Sequence, residues 1–239
     1  MKDPETVDVD GTLEKGMSAY SSGNYAEAMS LLSGISGNSP KADYLIGLMY
    51  DRGEGVGQDH ARAFEHYSEA ALKGDPDAIF SLGLLYYYGR GTEQSFPRAM
   101  EHFERSSALG SVKAWYNMGI MYENGTGVEK DYAKAMSAYL RASELGSDRA
   151  EYNIGVMYRN GEGVEQSFAK EMEWNLKAAE KDNVKAIFGI GYAYYKGKGV
   201  KRNDIEAMRW FKKGADLGHM KSQKMVSVLK KSMNVISIS

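Results

Sequence analysis

The 239-residue sequence contains no cysteine. Disulfide bonds, thiolate nucleophiles and cysteine-based zinc sites are therefore excluded. A chain without thiols suits reducing and oxidising compartments equally. We expect a soluble protein that is cytoplasmic or, if a signal peptide was trimmed, periplasmic or secreted, and the sequence leaves the compartment open.

An excess of charge of either sign is also missing. Lysine and arginine total 30, aspartate and glutamate total 32, and the formal net charge is −2. A nucleic-acid-binding protein needs a basic face to displace counterions from phosphates, and this composition offers no such excess. No apolar run approaches the roughly 20 residues that a membrane helix needs. We therefore expect neither nucleic-acid binding nor membrane insertion.

Residue patterns typical of catalysis are absent. The sequence has four histidines, His60, His66, His102 and His219. Their spacing supplies no third ligand for a metal site. Glycine pairs such as Gly53 and Gly55 lack the preceding strand and the following lysine of a phosphate-binding loop. Serines follow no nucleophile-elbow pattern. We expect no catalytic residue, no metal and no cofactor, and therefore no enzyme.

What the sequence does have is an internal period of 36 residues. Alanine, glycine and tyrosine recur at this spacing five times without an insertion or deletion. The alanines are Ala42, Ala78, Ala114, Ala150 and Ala186; the glycines are Gly47, Gly83, Gly119, Gly155 and Gly191; the tyrosines are Tyr50, Tyr86, Tyr122, Tyr158 and Tyr194. Two loop glycines follow each tyrosine. A period of this length predicts a repeat protein.

Each period predicts two helices. The first runs from the alanine to the residue before the first loop glycine, which can form a left-handed C-terminal cap. The second opens at a residue type that favours the N-cap position. These residues are Asp59, Ser95, Asp131, Ser167 and Asn203. One helix pair is too small to bury its apolar face alone, so neighbouring pairs must stack.

The period also gives the domain layout. We predict a flexible N-terminal tail at 1–11, a tetratricopeptide-like unit at 12–37, repeats 1 to 5 at 42–77, 78–113, 114–149, 150–185 and 186–221, and a capping helix with a tail at 222–239.

When the five periods are aligned, equivalent positions form columns, such as the alanine column and the glycine column. These columns resemble the Sel-one-like repeat, a 36-residue relative of the tetratricopeptide repeat. The segment from Ala150 to Tyr158, followed by Gly161 and Gly163, carries the resemblance most clearly. The resemblance implies an all-α fold, a right-handed α-solenoid superhelix of antiparallel helix pairs. It also implies an adaptor or scaffold for protein complexes, which in bacteria is often exported.

Repeat 4 departs from the pattern at three positions. Glu171 stands in an alanine column, Asn175 in an aromatic column and Asp182 in a glycine column. One interpretation is local drift with a looser joint between helices. The other is a widened groove or a hinge between repeats. The sequence leaves both open.

A partner would bind on the face of each first helix opposite the alanine–glycine–tyrosine stripe. In tetratricopeptide-like folds this face lines the concave channel, and the resemblance implies the same here. The predicted partner-binding residues are Tyr44, Phe80, Tyr87, Tyr88, Tyr116, Asn117, Glu123, Tyr152, Asn153, Arg159, Tyr192, Tyr195 and Lys196. Tyrosine combines rigid contact area with a hydroxyl, and it is enriched at binding hot spots. Packing within the fold is an alternative role for four of these rings, those of Tyr44, Phe80, Tyr116 and Tyr152.

The sequence shows no cluster of lysines and arginines along this channel, so we do not expect a carboxylate clamp. We predict a scaffold or adaptor that binds another protein or peptide, with a monomer favoured. The alternative is a bacterial immunity or regulatory protein that sequesters a toxin or an envelope partner. A hydrolase of penicillin-like compounds, discussed for some relatives, is a remote alternative.

Overall fold

The structure is a computed structural model, and it describes residues 8–236. Within that range the chain forms thirteen α-helices and no β-strand. The helices are α1 Val9–Ser21, α2 Tyr25–Ser33, α3 Pro40–Arg52, α4 His60–Leu72, α5 Pro76–Tyr88, α6 Phe96–Ala108, α7 Val112–Asn124, α8 Tyr132–Glu144, α9 Asp148–Asn160, α10 Phe168–Glu180, α11 Val184–Lys196, α12 Asp204–Asp216 and α13 Met220–Ile236. The prediction of an all-α repeat fold is confirmed.

The helix boundaries are set by caps that recur in every repeat. All five predicted N-caps of the second helices accept a hydrogen bond from a first-turn amide; Asp59, for example, accepts from the amides of Ala61 and Arg62. The first helices of repeats 1, 2, 4 and 5 end at a glycine in the left-handed conformation. Gly53, with φ of 71°, returns its amide to the Met49 carbonyl. These predicted starts and stops are confirmed.

The first helices begin two residues before the alanine column rather than at it. Pro40 and Pro76 occupy the first turn of α3 and α5, behind the N-caps Ser39 and Asp75. Proline fits there because the first-turn amide that it lacks has no partner within the helix.

The core is built from the small and aromatic columns. Ala42, Ala78, Ala114, Ala150 and Ala186 are all fully buried. In repeats 1, 2 and 5 the glycine of the first helix faces an aromatic ring of the second, and a Cβ atom on Gly47 would come within 2.7 Å of the Tyr67 ring. The corresponding rings are Phe103 for Gly83 and Phe211 for Gly191. Glycine therefore lets each ring lie directly against the backbone of the paired helix.

The chain divides into two compact units. Unit 1 comprises Met1–Met121 and Thr126–Glu129, and unit 2 comprises Tyr122–Gly125 and Lys130–Ser239. In unit 1, Ala28, Leu32 and Ile46 form one buried cluster, and Tyr67, Ala78 and Ile79 belong to another. In unit 2, Ile187 and Ile190 lie in one cluster, and Phe211 and Leu229 in a second.

The two ends differ slightly from the predicted layout. Helix α1 begins at Val9, so residues 9–11 of the predicted tail at 1–11 are helical, with the Asp8 side chain accepting a hydrogen bond from the Gly11 amide. Residues 1–7 of that tail lie outside the described residues. Helix α13 begins at Met220 instead of residue 222. The end of the predicted C-terminal tail, residues 237–239, also lies outside the described part.

Candidate functional site

Two of the predicted binding residues in unit 1 pack within their own repeat. The Tyr44 ring stacks on Tyr67 with centroids 5.8 Å apart, and the Phe80 ring lies 5.4 Å from Phe103. Burial raises the pKa of Tyr44 to about 12. Phe188 meets Phe211 in the same way in repeat 5, at 5.5 Å. The sequence analysis left open whether these rings pack within the repeat, and Tyr44 and Phe80 do so. Their contact with a partner stays a prediction.

Tyr87 and Tyr88 form an accessible aromatic pair at the end of α5. Their rings meet edge to face with centroids 5.0 Å apart. Tyr88 is 55% exposed, and the Arg90 guanidinium lies 4.9 Å from its centroid. Tyr87 is half-buried and also contacts the Phe96 ring, at 5.2 Å. Phe96 thus packs against Tyr87 on the buried side of the pair, and the Tyr88 ring is exposed to solvent.

Polar residues predicted for binding are partly engaged within the chain. The Asn117 side-chain amide donates to the Lys113 carbonyl at 2.8 Å, so this donor is already used inside α7. The Glu123 carboxylate accepts a hydrogen bond from the hydroxyl of the fully buried Tyr139. Tyr116 and Asn153 are half-buried. Asn117 is one of the predicted partner-binding residues, and this bond leaves its second N–H and its amide oxygen for a bound peptide.

Tyr192, Tyr195 and Lys196 lie together near the end of α11. The two rings are 6.4 Å apart, and the Lys196 ammonium lies 4.8 Å from the Tyr195 centroid and 5.9 Å from that of Tyr192. Tyr192 is 39% exposed. A cation over an aromatic face is attracted by the negative charge of the π system. This cluster is the counterpart in unit 2 of the Tyr87–Tyr88 pair.

A cavity of about 710 Å³ adjoins this cluster in unit 2. Three of the predicted residues, Tyr152, Arg159 and Tyr192, line it. Residues that the sequence analysis did not assign to the site are Glu171, Lys185, Phe188, Gly189, Ala193, Lys198, His219 and Lys221. Its volume lies within the range of roughly 300–1,000 Å³ that is usual for ligand pockets.

The departures of repeat 4 from the pattern explain why a cavity opens here. Asn175 stands where the other repeats carry Tyr67, Phe103, Tyr139 and Phe211, so no ring fills this joint. Asn175 is 3% exposed, and its amide oxygen has no hydrogen-bond partner among the described residues. Gly189 replaces the leucine, serine and asparagines of its column, which removes a further side chain. The Tyr152 ring is left without the aromatic partner that Tyr44 and Phe80 have.

An ion pair with a buried carboxylate lies in the wall of this cavity. Arg159 and Glu171 approach to 3.4 Å, and Glu171 is 8% exposed. Burial raises the pKa of the Glu171 carboxyl, although Arg159 and a hydrogen bond from Asn175 oppose the shift. A buried carboxylate is tolerated where charges and donors surround it.

Further positive charge surrounds the cavity without neutralising partners. Lys185, Lys198 and Lys221 line it, and none forms a salt bridge to any residue within 8–232. The His219 pKa is lowered by burial and by Lys221. This cavity therefore gathers three lysines and one arginine, a cluster that the sequence analysis did not identify. The cluster cannot be recognised in the sequence because its members are far apart along the chain, in α9, in α11, in the loop after α11 and in α13.

Two structural criteria for other functions give negative results. No group of three or more histidine, aspartate or glutamate residues in the described chain is placed to hold a metal ion. None of the helices in that part of the chain is both long and apolar enough to cross a membrane.

Comparison with known proteins gives consistent matches in both sequence and structure. The family model of the Sel1 repeat matches residues 40–75, 76–111, 112–147, 148–183 and 184–219. The crystal structure of a Sel1 repeat protein from Oxalobacter formigenes is 30% identical, with a TM-score of 0.81 over 90% of this chain and 86% of that one. A comparison with curated sequences gives no match.

Two further structures share this fold. The protein c5321, a protective antigen of uropathogenic Escherichia coli with the same repeat fold, is 30% identical with a TM-score of 0.83, over 93% of this chain and 49% of that one. The immunity protein Pa5087 from Pseudomonas aeruginosa has a TM-score of 0.55 at 17% identity, over 95% of this chain and 84% of that one, and shows the fold alone. With five consecutive repeats recognised, this chain belongs to the Sel1 repeat family of helical-solenoid proteins.

Proposed function

We propose that this chain is a scaffold or adaptor that binds a segment of another protein through the exposed and partly exposed tyrosines of its first helices. Members of the Sel1 repeat family generally act as non-enzymatic scaffolds for protein interactions. The observation that carries the proposal is the pair of accessible aromatic clusters, Tyr87 with Tyr88 in unit 1 and Tyr192 with Tyr195 in unit 2.

Physical chemistry favours protein binding at these clusters. At an interface an exposed tyrosine contributes apolar contact and one hydrogen bond. The rings are already ordered by neighbours, namely Phe96 for Tyr87 and Lys196 for Tyr195. Little side-chain entropy is therefore lost on binding.

Affinity capture tests this proposal. The full chain is immobilised, incubated with lysate and compared by quantitative mass spectrometry with a Tyr87→Ala, Tyr88→Ala, Tyr195→Ala variant. Because hot-spot tyrosines each contribute on the order of 1–2 kcal/mol, we expect recovery of the bound partner to fall at least about tenfold.

A matched control removes the same number of exposed apolar side chains elsewhere. Leu72, Leu109 and Leu217 are 80%, 54% and 44% exposed, and each lies at the end of a second helix. Their replacement by alanine should leave capture unchanged, and circular dichroism should stay helical for both variants. Equal capture by the wild type and the tyrosine variant would contradict the proposal.

Toxin sequestration is the narrower alternative, motivated by the fold shared with the immunity protein from Pseudomonas aeruginosa. It requires the captured partner to be a toxin whose activity the chain inhibits. The remote alternative, hydrolysis of penicillin-like compounds, requires turnover that survives dialysis against a chelator. Identification of the partner and a turnover assay separate these three functions.

A further inference from the structure

We infer that the cavity lined by Arg159, Lys185, Lys198 and Lys221 is a binding site for an acidic, partly apolar peptide segment of a partner protein. This inference rests on the proposed function, because it names the chemistry of the segment that the scaffold takes.

Charge is the first observation. The cavity carries four cationic side chains and one carboxylate, that of Glu171. Arg159 and Glu171 form an ion pair at 3.4 Å, and the single carboxylate cannot balance four cations, so the cavity keeps an excess of positive charge. The chain as a whole has a formal net charge of −2, so this local excess of positive charge is not a property of the whole surface. An occupant must bring carboxylates or another anion to match it.

The aromatic walls are the second observation. Tyr152 and Phe188 line the cavity together with Tyr192, and the Phe188 and Tyr192 rings lie 6.2 Å apart. The Lys185 ammonium lies 5.9 Å from the Tyr152 centroid. These surfaces suit an apolar or aromatic side chain placed between acidic ones. A purely ionic ligand such as free phosphate would leave them uncovered.

A buried polar residue beside the cavity is the third observation. Asn175 occupies a column of aromatic residues, is almost completely buried, and has an amide oxygen without a hydrogen-bond partner in the described chain. It lies beside Gly189, which lines the cavity. A buried polar group in place of a ring weakens packing, and such local losses of stability mark functional sites. Drift alone would not explain why the same joint also carries the buried Glu171.

A peptide fits these features better than a compact anion does. The three lysines are exposed and come from separate elements, so their flexible point charges can meet carboxylates spread along a chain. Tyr192 belongs both to the cavity and to the cluster with Tyr195. An extended segment can therefore continue from the cavity onto the surface of the proposed interface.

Selection from a random peptide display library tests this inference on the full chain. Peptides enriched on the wild type are synthesised with a fluorescent label, and their affinities are measured by anisotropy. We expect aspartate and glutamate next to phenylalanine, tyrosine or leucine. We also expect a variant carrying Lys185→Glu, Lys198→Glu and Lys221→Glu to bind the labelled peptides at least about tenfold more weakly, with weaker binding of the wild type at high salt.

The control variant carries Lys212→Glu, Lys224→Glu and Lys230→Glu, which changes net charge equally at exposed positions that do not line the cavity. Its affinity should stay within about threefold of the wild type. Enrichment of neutral or basic peptides, no enrichment, or equal loss in both variants would overturn the inference. Displacement of the peptide by inorganic phosphate, but not by chloride at equal ionic strength, would also overturn the inference. That result would identify a site for a small anion.

The two proposals fail separately. Capture of a partner through Tyr87, Tyr88 and Tyr195 without selection of acidic peptides would refute the cavity and leave the scaffold in place. Acidic peptides that bind the cavity while the tyrosine variant captures its partner normally would refute the tyrosine surface instead.

Discussion

Asp182 is the only non-glycine residue with positive φ among residues 8–236, at 57°. The other repeats place Gly74, Gly110, Gly146 and Gly218 here, with φ between 82° and 95°. A Cβ atom in this region is disfavoured, although aspartate tolerates it better than most residues. The Asp182 carboxylate partly compensates through a 2.9 Å salt bridge to Lys213, but both side chains are substantially exposed.

Replacement of Asp182 by glycine should stabilise the fold. The relief of left-handed strain is on the order of 1 kcal/mol, and the exposed salt bridge contributes less than that. We expect the urea midpoint to rise, with an increase of about 0.5–1 kcal/mol in the free energy of unfolding. Asp182→Ala, which keeps the Cβ atom and loses the carboxylate, should move the midpoint the other way. A glycine variant less stable than the wild type would show that the Lys213 contact dominates.

Glu151 and Lys181 form an ion pair at positions where other repeats carry apolar residues. Glu151 is 4% exposed, and its carboxylate lies 2.6 Å from the Lys181 ammonium. Repeat 1 has the same arrangement in Asp43 and Lys73, at 3.2 Å. At the equivalent positions repeat 5 has Ile187 and Leu217. The fold thus accepts either an ion pair or two apolar residues at these positions.

A double-mutant cycle should show strong coupling between Glu151 and Lys181. Lys181→Leu alone leaves a buried carboxylate without its cation and should cost about 1–3 kcal/mol of the free energy of unfolding. Adding Glu151→Ile should recover most of this loss, because the pair then copies repeat 5. Urea denaturation of the four proteins measures the coupling. Additive effects would contradict the prediction.

At the scale of helices, short-range chemistry made the boundaries predictable. Asp59 and Asn203 were recognisable as N-caps because a cap bond spans only two or three residues. The starts of the first helices were missed by two residues because their N-caps, such as Ser39 and Asp75, lie three residues ahead of the alanine.

The cavity could not be predicted in the same way. Its lining residues lie on separate elements, and their convergence depends on how Asn175 changes the packing of α9, α10 and α11. The sequence did mark Glu171 and Asn175 as departures from the period. It could not decide between a looser joint and a widened groove, because that depends on the volume left after repacking. Tyr152 and Arg159 were found because they lie on the predicted face of a first helix.

Two equivalent glycines should respond differently to substitution. A Cβ atom on Gly191 would come within 2.8 Å of the fully buried Phe211 ring, whereas on Gly155 it would meet the Asn175 amide oxygen at 3.1 Å. Alanine gains roughly 1 kcal/mol of helix propensity over glycine. A buried ring that must move costs about 1–3 kcal/mol.

We therefore expect Gly191→Ala to lower the thermal midpoint, and Gly155→Ala to leave it within error or raise it. Differential scanning calorimetry of both variants at one pH measures the difference. Equal destabilisation would mean that the joint of repeat 4 is as tightly packed as that of repeat 5, and it would weaken the case for a functional cavity.

At the scale of the whole molecule, the second helices of the two units bury different titratable groups. His66 and His102 in unit 1 stack on Tyr50 and Tyr86, with centroids 5.8 and 5.4 Å apart. Unit 2 has Trp174 and Trp210 at the same repeat position. Burial lowers the pKa of both histidines below the ordinary value of 6.5. Burial raises the pKa of Glu171 in unit 2 above its ordinary 4.5.

These shifts have opposite consequences as the pH falls. The unfolded chain protonates each histidine near pH 6.5, whereas folded unit 1 resists protonation until a lower pH. The histidine contribution to stability is therefore complete above pH 6.5 and is lost below it. Folded unit 2 holds the Glu171 proton more tightly than the unfolded chain does, so its stability rises, rather than falls, as this carboxyl is protonated.

Mild acid should therefore loosen α4 and α6, which carry His66 and His102, before α10, which carries Glu171. We expect hydrogen exchange, read by mass spectrometry and corrected for intrinsic rates, to accelerate in α4 and α6 between about pH 7 and about pH 5.5, with little change in α10. A His66→Phe, His102→Phe variant keeps an aromatic ring against each tyrosine and removes the titration, so its α4 and α6 should stay protected. If the variant loosens as much as the wild type, other groups govern the acid response, and burial of the histidines contributes nothing measurable to it.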